Sequence, residues 1–286
     1  MDIQEIVRQV LRELEQKMPL PEEAPVPNNT EDVIYFSEER FKDVENAKNI
    51  AMIERAQSIT PARIGIGRTG TRMRTGSYLQ FLADHAAAQD AVLKDVGEEF
   101  LQQIKLPKLE TKAQDMKTYL MDLDAGRQLS TQSVEYLRTH GDKGKSVQII
   151  VCDGLSSSAV EANVSDLLPA LIQGLKLKNI SVAQPFFIQR SRVWVQDEVA
   201  KIVDCDLVIS LIGERPGLNT DESLSAYMVY RPTEKTVEAD RTVISNIHRE
   251  GLTPVEAGAY LSDVIEQMLL AKCTGVAFAR RKNAHM

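Results

Sequence analysis

The sequence predicts an α/β protein: a wound, mostly parallel, Rossmann-like sheet in a C-terminal domain, preceded by a smaller, mainly helical N-terminal domain. Two observations support this. From Ser146 onward, short β-rich runs alternate with helix-like segments, a spacing that favours a parallel sheet covered by helices. Before residue 140, apolar residues recur at helical spacing and strand signals are scarce. The predicted domains are residues 32–144, mainly helical, and residues 145–286, α/β.

The first 18 residues predict a short amphipathic helix. Its apolar stripe follows helical spacing and consists of Ile3, Ile6, Val7, Val10, Leu11 and Leu14. The prolines between residues 19 and 31 end this helix and predict an extended linker. A helix on such a linker has little of its own domain to pack against, which favours docking on a partner. Docking on the body of the same chain is the alternative.

The predicted helical domain contains a glycine- and arginine-rich loop between its first two helices. Helical spacing predicts Ala47–Ala56, Tyr78–Val92 and Thr131–Leu137. The loop carries the G-x-G-x-x-G pattern at Gly65–Gly70, but no strand precedes it and Pro61 interrupts the approach, so a dinucleotide-binding turn is not predicted. The arginines of this stretch leave two interpretations open: a solvated basic loop, or a surface that docks an acidic partner or a phosphate.

The C-terminal domain contains the strand signals. The first run is almost continuously apolar and β-rich, as expected of a buried parallel strand. The predicted strands are Val147–Cys152, Ile180–Ala183 and Leu207–Ile212, with Ala226–Tyr230 and Thr242–Ile244 as further strands or extended segments. The predicted helices are a leucine-rich segment ending near Leu175, then Asp197–Ile202 and Pro254–Lys272.

Polar or glycine-containing turns follow three of the predicted strands, at residues 153–156, 184–190 and 213–218. Ligands gather at the carboxyl ends of the strands in an open parallel sheet, so the three turns together predict a ligand crevice. Each turn alone also has a structural interpretation; Ser156, for example, fits a helix cap. Glu214 directly follows an apolar strand, where it could hold an amide group or form a local ion pair. The lone tryptophan, Trp194, is interpreted as a core residue.

Composition and charge exclude several classes of protein. The formal net charge of -7 argues against a general nucleic-acid binder. No stretch approaches the roughly 20 apolar residues of a membrane span. The 3 cysteines are scattered, which is typical of a reducing, cytoplasmic compartment, and no histidine or cysteine spacing predicts a metal site. Glu238 and Asp240 beside Arg241 allow an acid–base pair, but without a nearby nucleophile or histidine they favour a salt-bridge network at an interface.

Several contiguous motifs resemble the small (light) subunits of ethanolamine ammonia-lyase. They are Asp153–Ser156, Pro185–Phe187, Gly213–Leu218, Glu222–Ser225, Glu238–Thr242 and Ile244–His248, with Thr69–Thr75 and Phe81–His85 similar as well. The resemblance extends from about residue 45 to about residue 272. It implies a subunit of an adenosylcobalamin-dependent enzyme that converts ethanolamine to acetaldehyde and ammonia by a radical rearrangement, with the difficult chemistry supplied by the cofactor.

The resemblance also implies how the work is divided. A large subunit holds the substrate, several large–small pairs form a hetero-oligomer, and this chain supplies neither a catalytic residue nor a metal ligand. The family's corrinoid contacts correspond to Val193, Glu214 and Val243, and Ser156 and Phe187 complete the predicted site. The family can carry a cysteine at position 243; the valine here leaves a backbone or packing contact.

Within this family, the N-terminal helix resembles an encapsulation peptide. That implies a cytoplasmic enzyme directed into a bacterial microcompartment through contact with the shell. Two other functions stay open: a non-catalytic microcompartment adaptor and a nucleotide-dependent Rossmann enzyme. The single glycine in Asp153–Ser156 disfavours the nucleotide-dependent enzyme, because its fingerprint needs several glycines in the first turn.

Overall fold

The computed structural model describes residues 44–60 and 62–284. They form a mixed six-stranded sheet with helices on both faces, so the predicted α/β class is confirmed. The predicted amphipathic helix at residues 1–18 and the linker at 19–31 lie outside the described residues, as does the start of the predicted helical domain. The division of the chain at residue 144 stays a prediction.

The helices and strands of the described residues are named in chain order. The helices are α1 (Ile50–Ile59), α2 (Thr75–Leu93), α3 (Glu98–Ile104), α4 (Met116–Met121), α5 (Thr131–His140), α6 (Ser157–Leu177), α7 (Val195–Val203), α8 (Pro254–Ala271) and α9 (Gly275–Ala284). The strands are β1 (Arg68–Thr69), β2 (Arg72–Met73), β3 (Lys108–Glu110), β4 (Val147–Cys152), β5 (Phe186–Gln189), β6 (Leu207–Gly213), β7 (Leu224–Tyr230) and β8 (Thr242–Ile247). Short 3₁₀ helices lie at Ala125–Arg127 and Glu238–Asp240.

The sheet has the strand order β3-β5-β4-β6-β7-β8. The four neighbouring strands β3, β5, β4 and β6 run parallel to one another. Strands β7 and β8 add antiparallel pairs at one edge. Strand β3 comes from the segment predicted to be mainly helical, and its three residues are too few to give a recognisable pattern.

Side chains on the two faces of β4 pack into two separate hydrophobic cores. Val147, Ile149 and Val151 pack with α6 and α8, while Ile150 and Cys152 pack with α5 and α7. All five are completely buried, as expected for a central strand covered on both faces. Each fully buried valine or isoleucine contributes about 1.5–3 kcal/mol relative to exposure, so this strand fixes the position of the turn that follows it.

The predicted strand at Ile180–Ala183 is wrong in position. Val182 forms only an isolated bridge to Val147, and the strand that pairs with β4 is β5, beginning at Phe186. Phe186, Phe187 and Ile188 have no exposed surface, whereas Ser181 is exposed. Burial of the two aromatic rings decides which run enters the sheet, and the turn at this edge therefore begins at Arg190.

Candidate functional site

A pocket of about 410 Å³ opens where the turns after β4, β5 and β6 meet, and we call it the rim pocket. These turns lie at the carboxyl ends of parallel strands, the usual place for a ligand in such a sheet. The lining residues are Gly154 and Leu155 after β4, Arg192, Val193 and Trp194 after β5, Ile212 to Arg215 at the end of β6, Ser225, Tyr227 and Ser245 on β7 and β8, and Tyr119 of α4. A crevice is therefore present where the turns predicted at residues 153–156 and 213–218 meet, but residues 192–194 line its third side and not the predicted turn at residues 184–190, most of which forms β5.

The floor of the rim pocket is a close contact between two glycines. Gly154 has a φ of +62°, and the N–H of Leu155 donates to the carbonyl oxygen of Gly213 at 3.1 Å. A Cβ on Gly154 would lie 2.4 Å from that oxygen, and a Cβ on Gly213 would lie 2.1 Å from the carbonyl oxygen of Ser156. Both positions therefore require glycine, and the turns after β4 and β6 are held in backbone contact.

Asp153 fastens the turn after β4 to the turn after β5. Its carboxylate is buried and accepts hydrogen bonds from the backbone N–H groups of Gly154 (2.9 Å), Arg190 (2.6 Å) and Ser191 (3.0 Å). Burial raises the pKa of Asp153 to about 6, and these hydrogen bonds oppose the rise because they favour the charged form. The position of the wall residues 192–194 therefore depends on this side chain.

Tyr119 joins the same two turns from the side. Its buried hydroxyl donates a hydrogen bond shared between the carbonyl oxygens of Gly154 (2.6 Å) and Ser191 (3.1 Å). Burial raises the pKa of Tyr119, so the hydroxyl keeps its proton and stays a donor. The guanidinium of Arg192 lies over its ring, 4.6 Å from the centroid, within the range of a cation–π interaction.

Only one of the two carboxylate oxygens of Glu214 accepts hydrogen bonds from the described residues. Oε1 accepts hydrogen bonds from Ser225 Oγ (2.7 Å) and from the backbone N–H of Asn246 (2.9 Å). Oε2 accepts none from the described residues. Asn246 has a φ of +64° and lies where the register of β8 against β7 shifts, an irregularity that aims its N–H at Glu214. Burial, then the charge of Glu214, raises the pKa of Tyr227 in the same wall.

The structure brings together two of the five predicted site residues and places a third beside them. Val193 and Glu214 line the rim pocket. Val243 of β8 is 39% exposed and pairs directly with Tyr227, so both side chains lie on the same face of the sheet.

Ser156 and Phe187 lie behind the rim pocket and do not line it. Ser156 caps α6: its Oγ accepts the N–H of Ala159 (3.0 Å) and donates to the carbonyl oxygen of Asp221 (2.5 Å) in the turn after β6. Phe187 has no exposed surface and packs in the core beneath α6, because it belongs to β5 and not to the turn after a strand.

Several residues that line the pocket are not among the predicted site residues, and three of them are Trp194, Arg192 and Tyr119. Trp194, interpreted as core, is half-buried in the pocket wall, with the Arg127 guanidinium 4.3 Å from its ring centroid. A single tryptophan in an apolar run fits a core position and a pocket wall equally well, so the sequence pattern does not distinguish the two. Arg192 precedes Val193, a position that the family resemblance points to, and that adjacency is the sequence signal for it. Tyr119 gave no signal, because its contact with the turns spans 35 residues of chain.

The basic loop has partners within the chain. Arg63 forms an ion pair with Asp84 (2.5 Å) and donates to the carbonyl oxygen of Leu218 (2.7 Å), which ties α2 to the turn after β6. Docking of an acidic partner or phosphate on this loop stays a prediction. Arg241 pairs through two hydrogen bonds with Asp197 of α7 (2.8 and 2.6 Å), and not with the neighbouring Glu238 or Asp240.

Among the residues with described side chains, no cluster of three or more histidine, cysteine, aspartate or glutamate residues could hold a metal ion. In the same part of the chain, no helix is both long and apolar enough to cross a membrane.

Comparison with known proteins shows which family this chain matches. Residues 51–279 match the family model described as ethanolamine ammonia-lyase light chain (EutC). The ethanolamine ammonia-lyase small subunit of Listeria monocytogenes serotype 4a (strain HCC23) is 46% identical over 220 residues, which cover 77% of this chain and 75% of the relative. The small subunits of Clostridium tetani (46% over 233 residues, 82% and 79%) and Clostridioides difficile (44% over 233 residues, 82% and 80%) are similarly related.

Proposed function

This chain belongs to the ethanolamine ammonia-lyase light-chain family, and on that premise we propose that it is the small subunit of an enzyme that converts ethanolamine to acetaldehyde and ammonia. The rim pocket binds part of adenosylcobalamin, and a large subunit covers the remainder and holds the substrate. The main structural support for this assignment is the hydrogen bonding of Glu214. Its Oε1 accepts hydrogen bonds from two protein donors, and its Oε2 accepts none from the described residues and can accept one from a ligand.

The lining of the rim pocket fits a corrinoid. A corrin ring has broad apolar faces and an edge of amide side chains. Leu155, Val193 and Trp194 offer apolar and aromatic surface, and Glu214 Oε2 offers an acceptor for an amide N–H. A volume of about 410 Å³ suits a drug-sized molecule, so the larger corrinoid extends beyond this chain. That supports a site shared with a second polypeptide.

The residues of this chain bind and orient the cofactor. Glu214 accepts from an amide, Val193 and Trp194 pack against the ring, and Val243 extends the apolar surface along β8. Asp153, Tyr119 and Ser156 act indirectly, because they fix the three turns to one another. When bound, the cofactor supplies the cobalt–carbon bond whose homolysis starts the radical reaction. No catalytic residue or metal ligand is assigned to this chain.

The nucleotide-dependent alternative has little support at the turn after β4. The one glycine of this turn, Gly154, packs against Gly213, and the N–H of Leu155 already donates a hydrogen bond to the carbonyl oxygen of Gly213. A phosphate cradle needs such groups free.

The proposed assembly contains several large–small pairs. Residues 1–18 direct it into a bacterial microcompartment by docking on the shell. This part of the proposal rests on the amphipathic pattern and on the family resemblance.

The experiment compares Glu214→Ala with wild type in the complex reconstituted with the large subunit. We expect the Kd for adenosylcobalamin to rise about 10- to 100-fold, because a hydrogen bond to a charged group contributes about 1.5–3 kcal/mol. Equilibrium dialysis gives the Kd, and thermal melting of the complex shows whether the variant is folded.

Glu222→Ala is the matched control, because Glu222 is an exposed glutamate at the end of the same turn. We expect its Kd to stay within about 2-fold of wild type. The chain alone should give no turnover, and activity should appear only with the large subunit and cofactor. Unchanged cofactor affinity in Glu214→Ala would remove Glu214 from the site, and turnover by the chain alone would refute the division of labour.

A further inference from the structure

Arg192 is a cation in the wall of the rim pocket with no ion-pair partner among the described residues. Its Nη2 donates to the carbonyl oxygen of Tyr119 at 2.7 Å. Its Nε is buried and has no hydrogen-bond partner, and Nη1 has none among the described residues. The guanidinium has therefore lost water on one side without gaining a negative charge, which makes it a favourable place for an anion.

The chain holds Arg192 in place before any ligand arrives. Its backbone N–H donates to the carbonyl oxygen of Gly126 (2.8 Å), and its guanidinium lies over the ring of Tyr119. A Cβ on Gly126 would lie 3.1 Å from both Arg192 Cγ and the Tyr119 ring, so the glycine leaves room for this stack. Tyr119 is itself fixed through its hydroxyl. A guanidinium fixed in this way loses little side-chain freedom on binding.

The other arginines near the rim pocket differ in these respects. Arg127 lies over Trp194 but is paired with Asp124 at 3.0 Å. Arg215 lines the pocket, but it is exposed to water, so its charge is already solvated. Arg192 is thus the pocket arginine that combines partial burial, fixed position and an unpaired charge.

We propose, on the premise that the rim pocket binds a corrinoid, that Arg192 binds the phosphodiester of the corrinoid's nucleotide loop. A corrinoid with a nucleotide loop carries one group with a permanent negative charge, the phosphodiester, and its other polar groups are mostly neutral amides. Arginine suits a phosphate because it offers several N–H donors together with its charge. Glu214 and Arg192 thereby take different parts of the ligand, an amide N–H and an anion.

The experiment compares two ligands that share the corrin ring. Cyanocobalamin has the nucleotide loop with its phosphodiester, and dicyanocobinamide lacks both. Binding is measured by equilibrium dialysis to the complex of this chain with its large subunit, for wild type, Arg192→Gln and Arg215→Gln. We expect Arg192→Gln to weaken cyanocobalamin binding about 10- to 100-fold and to change dicyanocobinamide binding less than about 2-fold. Arg215→Gln should affect both ligands alike.

Arg192→Lys covers the case in which Arg192→Gln fails to assemble. Lysine keeps the charge but has fewer donors, so we expect about a 3- to 10-fold loss for cyanocobalamin only. In wild type, inorganic phosphate should compete with cyanocobalamin, because both would place a phosphate group on Arg192. It should not compete with dicyanocobinamide, which has no phosphodiester. A phosphate site separate from the nucleotide loop would give no competition with either ligand and would contradict the inference.

Equal weakening of both ligands by the Arg192 variants would overturn this inference and leave the corrinoid function standing. A loss confined to cyanocobalamin in Arg215→Gln, with Arg192→Gln unaffected, would also overturn it. If the wild-type complex bound neither ligand, the corrinoid function itself would fail.

Discussion

Replacing Gly213 by alanine should separate the turns that form the floor of the rim pocket. The new Cβ would lie 2.1 Å from the carbonyl oxygen of Ser156 and 2.5 Å from that of Asp153. Both atoms belong to the backbone, so neither can move without displacing the start of α6. Overpacking of this kind costs about 1–3 kcal/mol, and contact with backbone favours the upper end. At about 2–4 °C per kcal/mol for a protein of this size, the melting temperature should fall by about 5–10 °C.

Scanning calorimetry of the complex with the large subunit measures this change, with cofactor affinity as a second readout. Gly217→Ala is the matched control, because its Cβ would have the Asn219 nitrogen, at 4.0 Å, as its nearest neighbour. It should melt within about 2 °C of wild type. If Gly213→Ala melted with the control and kept full cofactor affinity, the backbone contact would not be what forms the floor.

Two further predictions concern Asp153 and the N-terminal segment. Burial raises the pKa of Asp153 to about 6 from an ordinary 3.8, so the native state holds this proton more tightly than the unfolded chain. The contribution of Asp153 to the stability of the fold should therefore fall as the pH rises from about 4 to about 6. Melting temperatures measured across this pH range should decrease in wild type and change less in Asp153→Asn. Equal pH dependence in the two proteins would contradict this prediction. Deleting residues 1–18 should leave turnover of the reconstituted complex unchanged and abolish its recovery with microcompartment shells; loss of turnover instead would place this segment in the enzyme.

The parts of the fold that the sequence predicts correctly are those with long local patterns. Strands β4 and β6 are continuous β-rich runs, and α8 is a long amphipathic segment, so periodicity alone locates them. The sequence predicts β5 too early in the chain because two neighbouring apolar runs both fit a strand, and only the run with the buried Phe186 and Phe187 forms it. Strand β3 has three residues and exists through its pairing with β5.

The candidate site was predictable only in part. The rule that ligands lie at the carboxyl ends of strands predicts the turns after β4 and β6, and the family resemblance predicts Val193 and Glu214. The turn after β5 lies beyond its predicted position, because the preceding strand does. Tyr119 reaches the pocket from a helix before β4, and no local pattern reports so distant a contact. The hydrogen bond from Asn246 to Glu214 depends on a register shift between β7 and β8, which appears only when the strands are paired.

The contact between Gly154 and Gly213 also limits how the rim pocket can be redesigned. Any side chain added at either glycine would meet backbone, so the depth of the cleft is fixed by the fold. Val193, Trp194 and Val243 are partly open to solvent and can change size without disturbing the sheet. On the proposed function, engineering toward corrinoids with altered side chains should therefore vary these three positions and keep the pair of glycines.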